Sequence, residues 1–269
     1  MNRRRLLAGV VAITLLAGGG SPASAADLHA SFTEVLSRYV IAGSDGVNRV
    51  DYARWTATHA DRTRLAQYIE TLSKIRASAL PRAAAFAFWA NLYNAITLKV
   101  ILDRYPVDSI RDIKSDSFLD PKAYLGPWRT KRVDVEGRSL SLDDIEHEIM
   151  RPTFEDPRVH YAVNCASMGC PNLMPRAWSA LTLRADLDAA ARAFINHRRG
   201  VSVVGPGKLR VSSIYVWFKE DFAAEGGVVA HLKQYAGPRL AQALRTDPEI
   251  AGHAYDWRLN KAERYPRTR

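Results

Sequence analysis

Apolar residues recur at helical spacing along most of this chain, and one stretch is apolar almost all the way round. Leu28, Phe32, Val35, Leu36 and Tyr39 predict an amphipathic helix over Asp27 to Val40, ended by Gly43-Ser44-Asp45-Gly46. A short strand over Val47 to Tyr52 follows, then a helix with Leu65, Ile69 and Leu72 on one face. Pro81 opens a long helix that runs to about Tyr105, where Pro106 stops it. Between Arg82 and Asp103 its only charge is Lys99, and a helix this apolar belongs at the centre of a fold. It is long enough to cross a bilayer, but Asn91, Asn94, Thr97 and Lys99 in mid-segment argue against a span. With about 100° per residue, Asn91 and Asn94 lie about 60° apart, opposite the Trp89 face. Buried amides need partners, so the pair either ties down a neighbouring loop, the favoured reading, or lines a binding site.

Asp108 to Pro127 is polar and turn-rich, a long excursion of the kind that often serves as a lid. Val133 and Val135 alternate with polar neighbours around Glu136-Gly137, a hairpin over Arg132 to Leu140. Ser141, with Asp144 three residues on, forms a capping box that starts the next helix. Leu142, Ile145 and Ile149 make its apolar stripe, and Glu146 falls on that same stripe. His147 lies on another flank, one turn after Asp143 and within its reach. A carboxylate on a buried stripe must find a partner or shift its pKa; the alternative is an edge position whose head reaches water. Beyond Pro157, Val159, Tyr161, Val163 and Cys165 would share one face of a strand, with His160, Ala162 and Asn164 on the other. A helix over Thr182 to Asn196, a hairpin over Gly200 to Val211 and a short aromatic helix capped by Ser212-Ser213 come next. Helices near Val228 to Tyr235 and Arg239 to Leu244, and a strand over Ala254 to Leu259, complete the pattern. No repeat or linker divides it. The prediction is a single helix-rich α+β domain with a central buried helix and a small mixed or antiparallel sheet.

The N-terminus changes the picture. Arg3, Arg4 and Arg5, an apolar run from Leu6 to Ala17, and Ser21-Pro22-Ala23-Ser24-Ala25 predict an export signal over residues 1–25, general secretory or twin-arginine. Residues 26–269 are then one globular domain, periplasmic or secreted, with no stable membrane span after cleavage. Loss of three arginines lowers the formal charge from +10 to about +7. That excess is spread among acids rather than gathered in a stripe, so no nucleic-acid partner is expected; the ligand is a small molecule or peptide.

The chain has no phosphate-binding glycine loop, no dinucleotide fingerprint and no Gly-x-Ser-x-Gly elbow, and no cofactor is expected. Polar chemistry gathers between Arg158 and Pro171, which holds both cysteines. A first reading makes Cys165 a thiol nucleophile acting on an acyl or amide bond. Its base is His147, or His160 if the strand twists, with Asn164 or Glu146 orienting the imidazole. A second reading joins Cys165 and Cys170 in a disulfide worth about 2 kcal/mol, within a non-catalytic envelope module. Redox work by a reversible pair is disfavoured, because the spacing is not Cys-x-x-Cys. A metal on His147, His160 and a cysteine lacks any regular ligand spacing, so none is expected.

Four blocks then bear on family: Phe88 to Ala95, Leu142 to Arg151, Asp156 to Cys165 and Ser213 to Phe222. In this order, over about residues 84–222, the chain resembles the bacterial and eukaryotic domain of unknown function 547. The resemblance implies no activity. It places Asn91, Asn94, Glu146, His147, His160, Asn164 and Cys165 in signature blocks, together with Tyr93 and Trp217 as binding candidates. Plant members often carry serine near the Cys170 position, which by this resemblance looks less like a shared disulfide and slightly raises the case for Cys165.

Overall fold

The computed structural model describes residues 28–114 and 126–262. The predicted export signal, the middle of the lid excursion and the end of the basic tail lie outside the described residues. The chain is mostly helical, at 54%, with small antiparallel and mixed sheets around one buried helix.

Helix α1 (Ala30–Tyr39) buries Phe32, Val35, Leu36 and Tyr39, the face its spacing predicts. Strands β1 (Val40–Ala42) and β2 (Asn48–Val50) pair antiparallel across the Gly43–Gly46 turn. Helices α2 (Tyr52–Ala57) and α3 (His59–Ser73) then pack against α4 (Arg82–Arg104). Helix α4 follows Pro81, whose fixed φ suits a helix start, and ends at the extended Tyr105 before Pro106. This helix of 23 residues is long and apolar enough to cross a membrane by length and composition, with mean hydropathy 1.3 over its 18-residue apolar window, but 89% of that window is buried in protein. It is therefore the core of the fold. Each fully buried side chain such as Phe88 or Leu92 contributes roughly 1.5–3 kcal/mol.

Strands β3 (Val133–Val135) and β4 (Arg138–Leu140) form the expected hairpin. The capping box also forms: Ser141 Oγ accepts from the Asp144 N–H at 3.1 Å and Asp144 Oδ2 accepts from the Ser141 N–H at 2.6 Å. The helix after it departs from expectation. Residues Asp144–Met150 make a π-helix, continued by an α-helical turn at Arg151–Phe154. The wider turn places Asp143, Glu146 and His147 on one side together, instead of leaving Glu146 on the apolar stripe and His147 on a separate flank.

The predicted strand over Val159 to Cys165 is also corrected. Val159–Ala162 is a helical turn, α5, in which the Val163 N–H bonds to the Val159 carbonyl, and the extended backbone begins only at Val163. Its β-branched and aromatic residues are buried on every side, and such a segment matches strand and buried helix alike. Pro157, with the Asp156 carboxylate accepting the Arg158 N–H at 2.9 Å, turns the chain into the helix.

Helix α6 (Leu183–Ile195) leads to β5 (Val201–Gly205) and β6 (Lys208–Ser212), joined through the Gly205-Pro206-Gly207 tip. The predicted C-terminal strand lies earlier than expected: β7 is Glu249–Ala254 and pairs parallel to β6, so this sheet is mixed. Helix α7 (Ile214–Trp217) starts after Ser213, whose hydroxyl bonds to His253 Nδ1 at 2.8 Å rather than capping the helix. Helices α8 (Val228–Tyr235) and α9 (Pro238–Ala243) cover a second apolar cluster around Phe194, Tyr215 and Phe222.

Candidate active site

Helix α4, the π-helix, α5, the cysteine loop, α7 and the segment after β7 meet at a cleft of about 370 Å³. Its lining includes Tyr93, Glu146, His147, His160, Cys165, Cys170 and Trp217. Replacing the expected strand by α5 is what allows this. Strand alternation would set His160 and Cys165 on opposite faces, whereas the helical turn lets both reach one cavity, with Tyr161 directed into the second core.

Asn91, Asn94 and Asn164 do not line the cleft; they fix its walls. Asn91 exchanges two hydrogen bonds with the backbone of Trp178, both 2.9 Å. Asn94 Nδ2 donates to the Ala162 carbonyl at 2.9 Å and its Oδ1 accepts the Asn164 N–H at 2.8 Å, joining α4 to the end of α5. The Asn164 amide then spans the cysteine loop: Nδ2 donates to the Pro171 carbonyl at 2.7 Å, and Oδ1 accepts the Ala166 N–H at 2.8 Å. That second bond supports Ala166 at φ 60°, a left-handed conformation unusual for a residue with a Cβ. Gly169 is required by close approach. A Cβ there would lie 2.8 Å from the Asp256 backbone nitrogen and 3.0 Å from the Tyr255 ring.

Cys165 and Cys170 are free thiols whose sulfurs face each other at 2.7 Å. The Tyr255 hydroxyl lies 3.0 Å from one and 3.1 Å from the other, and Ser167 Oγ is 3.2 Å from Cys165. Cys170 also accepts the Cys165 N–H at 3.1 Å. Burial raises the Cys170 pKa, but donors from Cys165, Tyr255 and Ser167 outweigh it and bring the thiol down to about 6. Cys165 is pushed up, by its bond to Cys170 and by burial. The two titrate as one dithiol that gives up its first proton early and holds the second. No imidazole contacts either sulfur in the hydrogen bonds of the described residues.

His160 is buried, stacked on Phe218 at 4.3 Å, and its Nε2 bonds to Asp221 Oδ2 at 2.7 Å. Arg151 holds the same carboxylate through Nε at 2.7 Å and Nη2 at 2.8 Å. Burial would raise the Asp221 pKa, but the His160 and Arg151 bonds hold it well below the usual carboxylate range. With Nε2 committed to Asp221, His160 Nδ1 is left 3.9 Å from Glu146 Oε1. The Tyr93 hydroxyl is kept protonated by burial and by the adjacent Glu146 carboxylate. His147 Nε2 lies 3.6 Å from Asp143, as the helical spacing predicts, and its Nδ1 accepts from Arg151 at 3.2 Å.

The outer wall is aromatic. Half-exposed Trp217 packs on Tyr255 at 5.0 Å and on Trp257 at 5.8 Å, and Trp257 meets Trp128 edge-on at 5.7 Å. Asp221, Arg151, Phe218, Tyr255, Trp128 and Trp257 have no part in the site as read from the sequence. Asp221 and Arg151 fall in the quoted blocks, but nothing local marks them as partners of His160 across 61 residues. Tyr255 and Trp257 sit just after a strand whose position is set only by pairing with β6. The candidates the sequence singles out as Glu146, His147, His160 and Cys165 are brought together here.

No curated protein and no solved structure matches the chain. A family model described as protein of unknown function, DUF547, matches residues 77–195, which hold α4, the Glu146 helix, α5 and the cysteine loop but not Trp217, Asp221, Tyr255 or Trp257. The chain carries a DUF547 domain over residues 77–195.

Proposed function

We propose that the cleft is the site of a thiol-dependent hydrolase or acyl transferase acting on an acyl or amide carbonyl. One observation carries this reading: an Asp221-oriented histidine and an easily ionised cysteine pair line the same cavity. Nucleophile, base and orienting carboxylate are the components such chemistry needs, and apo geometry often leaves the nucleophile–base contact open. Cys165, the more exposed residue of the pair, attacks the carbonyl carbon while the proton the pair retains passes to Cys170. The carbonyl π electrons move to oxygen, and the Tyr255 hydroxyl is placed to donate to it. Collapse breaks the bond to the leaving amine or alcohol, which takes the proton now held on Cys170. Water or an acceptor then cleaves the thioester, with His160 as base and Asp221 holding the imidazolium.

A second reading is favoured by the contact between the two sulfurs and the absence of an imidazole on either: a non-catalytic binding module closed by a Cys165–Cys170 bridge. The export predicted from the N-terminal pattern would favour oxidation. Incubating the protein purified without reductant with p-nitrophenyl acetate separates the two. A burst of one equivalent of nitrophenol with an acetyl adduct on Cys165, and turnover abolished in His160→Ala, is expected for the thiol enzyme. No adduct, and no thiol alkylated by iodoacetamide until reductant is added, would leave the bridged module.

A further inference from the structure

Behind the cysteine loop lies a second cavity, of about 790 Å³, floored by the sheet of β5, β6 and β7. Its lining holds Asp45 and Asp256, and both carboxylates are already used: Asp45 pairs with Arg49 at 2.7 Å and Asp256 with Arg258 at 2.6 Å. Three further arginines make no ion pair among the described residues, although Arg199 feels the Asp45 carboxylate at longer range. Arg198 and Arg210 are exposed and, among the described residues, their side chains make no hydrogen bond or ion pair. Arg199 donates only to neutral acceptors, the Met168 carbonyl at 3.3 Å and Asn172 Oδ1 at 2.6 Å, and its buried Nε has no partner. Burial lowers the Arg199 pKa more than the nearby Cys170, Tyr255 and Asp45 raise it, so its charge is incompletely compensated.

The sheet keeps the space open. Leu209 and Val211 point into the core, so Arg210 between them stands on the outer face. Its register neighbours are Ser202 on β5 and Gly252 on β7, and a Cβ on Gly252 would meet nothing within 4 Å. The volume falls within the roughly 300–1,000 Å³ of small-molecule sites. Guanidinium groups match phosphate oxygens in charge and planar geometry.

We infer that this cavity binds a phosphate-bearing small molecule, its phosphate held by Arg198, Arg199 and Arg210. The site is separate from the thiol cleft, although Tyr255 lines both. Isothermal titration of the protein with pyrophosphate at low ionic strength tests it. Saturable one-to-one binding is expected, weakened at least about ten-fold by the double change Arg198→Glu/Arg210→Glu, since two charge-assisted contacts are replaced by repulsion. Arg184→Glu/Arg245→Glu makes the same change in net charge at exposed positions outside the lining and is expected to leave affinity within about two-fold. The absence of saturable binding would overturn the inference. So would equal weakening by both pairs, which would reduce it to attraction by net charge.

Discussion

Replacing Asn94 by alanine tests the central device of this fold, a buried amide that ties the core helix to the cysteine loop. The side chain is 2% exposed and serves two backbone groups. The Ala162 carbonyl would keep a donor, because Trp178 Nε1 also reaches it at 3.1 Å. The Asn164 N–H would have none, and an orphaned buried donor costs about 1–3 kcal/mol. The space left by the side chain adds roughly 1 kcal/mol, for a total of about 2–4 kcal/mol. In urea unfolding followed by tryptophan fluorescence this should lower the midpoint by on the order of 1 M. Asn94→Asp is the informative companion. Protonated, it can still donate to Ala162 and accept from Asn164; ionised, it buries a charge. Its folded-state pKa is raised, so its deficit should shrink as pH falls below that value and grow as pH rises through it. An Asn94→Ala loss below about 0.5 kcal/mol would refute the assignment of the loop's position to this amide.

The dithiol should be alkylated by iodoacetamide at a rate that rises with pH through a midpoint of about 6, where Cys170 ionises. Tyr255→Phe should move that midpoint up by removing a donor to the thiolate, and an unperturbed midpoint near 8.5 in the parent protein would contradict the coupling. Gly169→Ala should cost about 1–3 kcal/mol in denaturant unfolding, because its methyl would lie 2.8 Å from the Asp256 backbone nitrogen; a neutral result would mean the loop has room to shift. Asp221→Asn should destabilise most at neutral pH. The folded-state pKa of Asp221 lies below its unfolded value, so its contribution is present above the unfolded pKa and is lost as pH falls toward the folded one. Stability curves of the two proteins that fail to converge below about pH 4 would contradict this.

The sequence alone determined most of the helices and the polarity of the core, because these follow from local periodicity. One charge between Arg82 and Asp103 is enough to make α4 central, and Pro81 and Pro106 mark its ends. The capping box, the hairpin at Glu136-Gly137 and the structural role of Asn91 and Asn94 were legible for the same reason: each depends on neighbours within a turn, or on the need of a buried amide for a partner. The tertiary structure alone decided how the site is assembled. Residues Val159 to Cys165 satisfy strand and buried helix equally well, and only packing on all sides chose the helical turn that turns His160 into the cleft. The partnership of His160 with Asp221 and the placement of Tyr255 over both sulfurs arise between segments 61 to 90 residues apart. Contacts at that separation are set by how elements pack, and no local pattern of hydrophobic and polar residues encodes them.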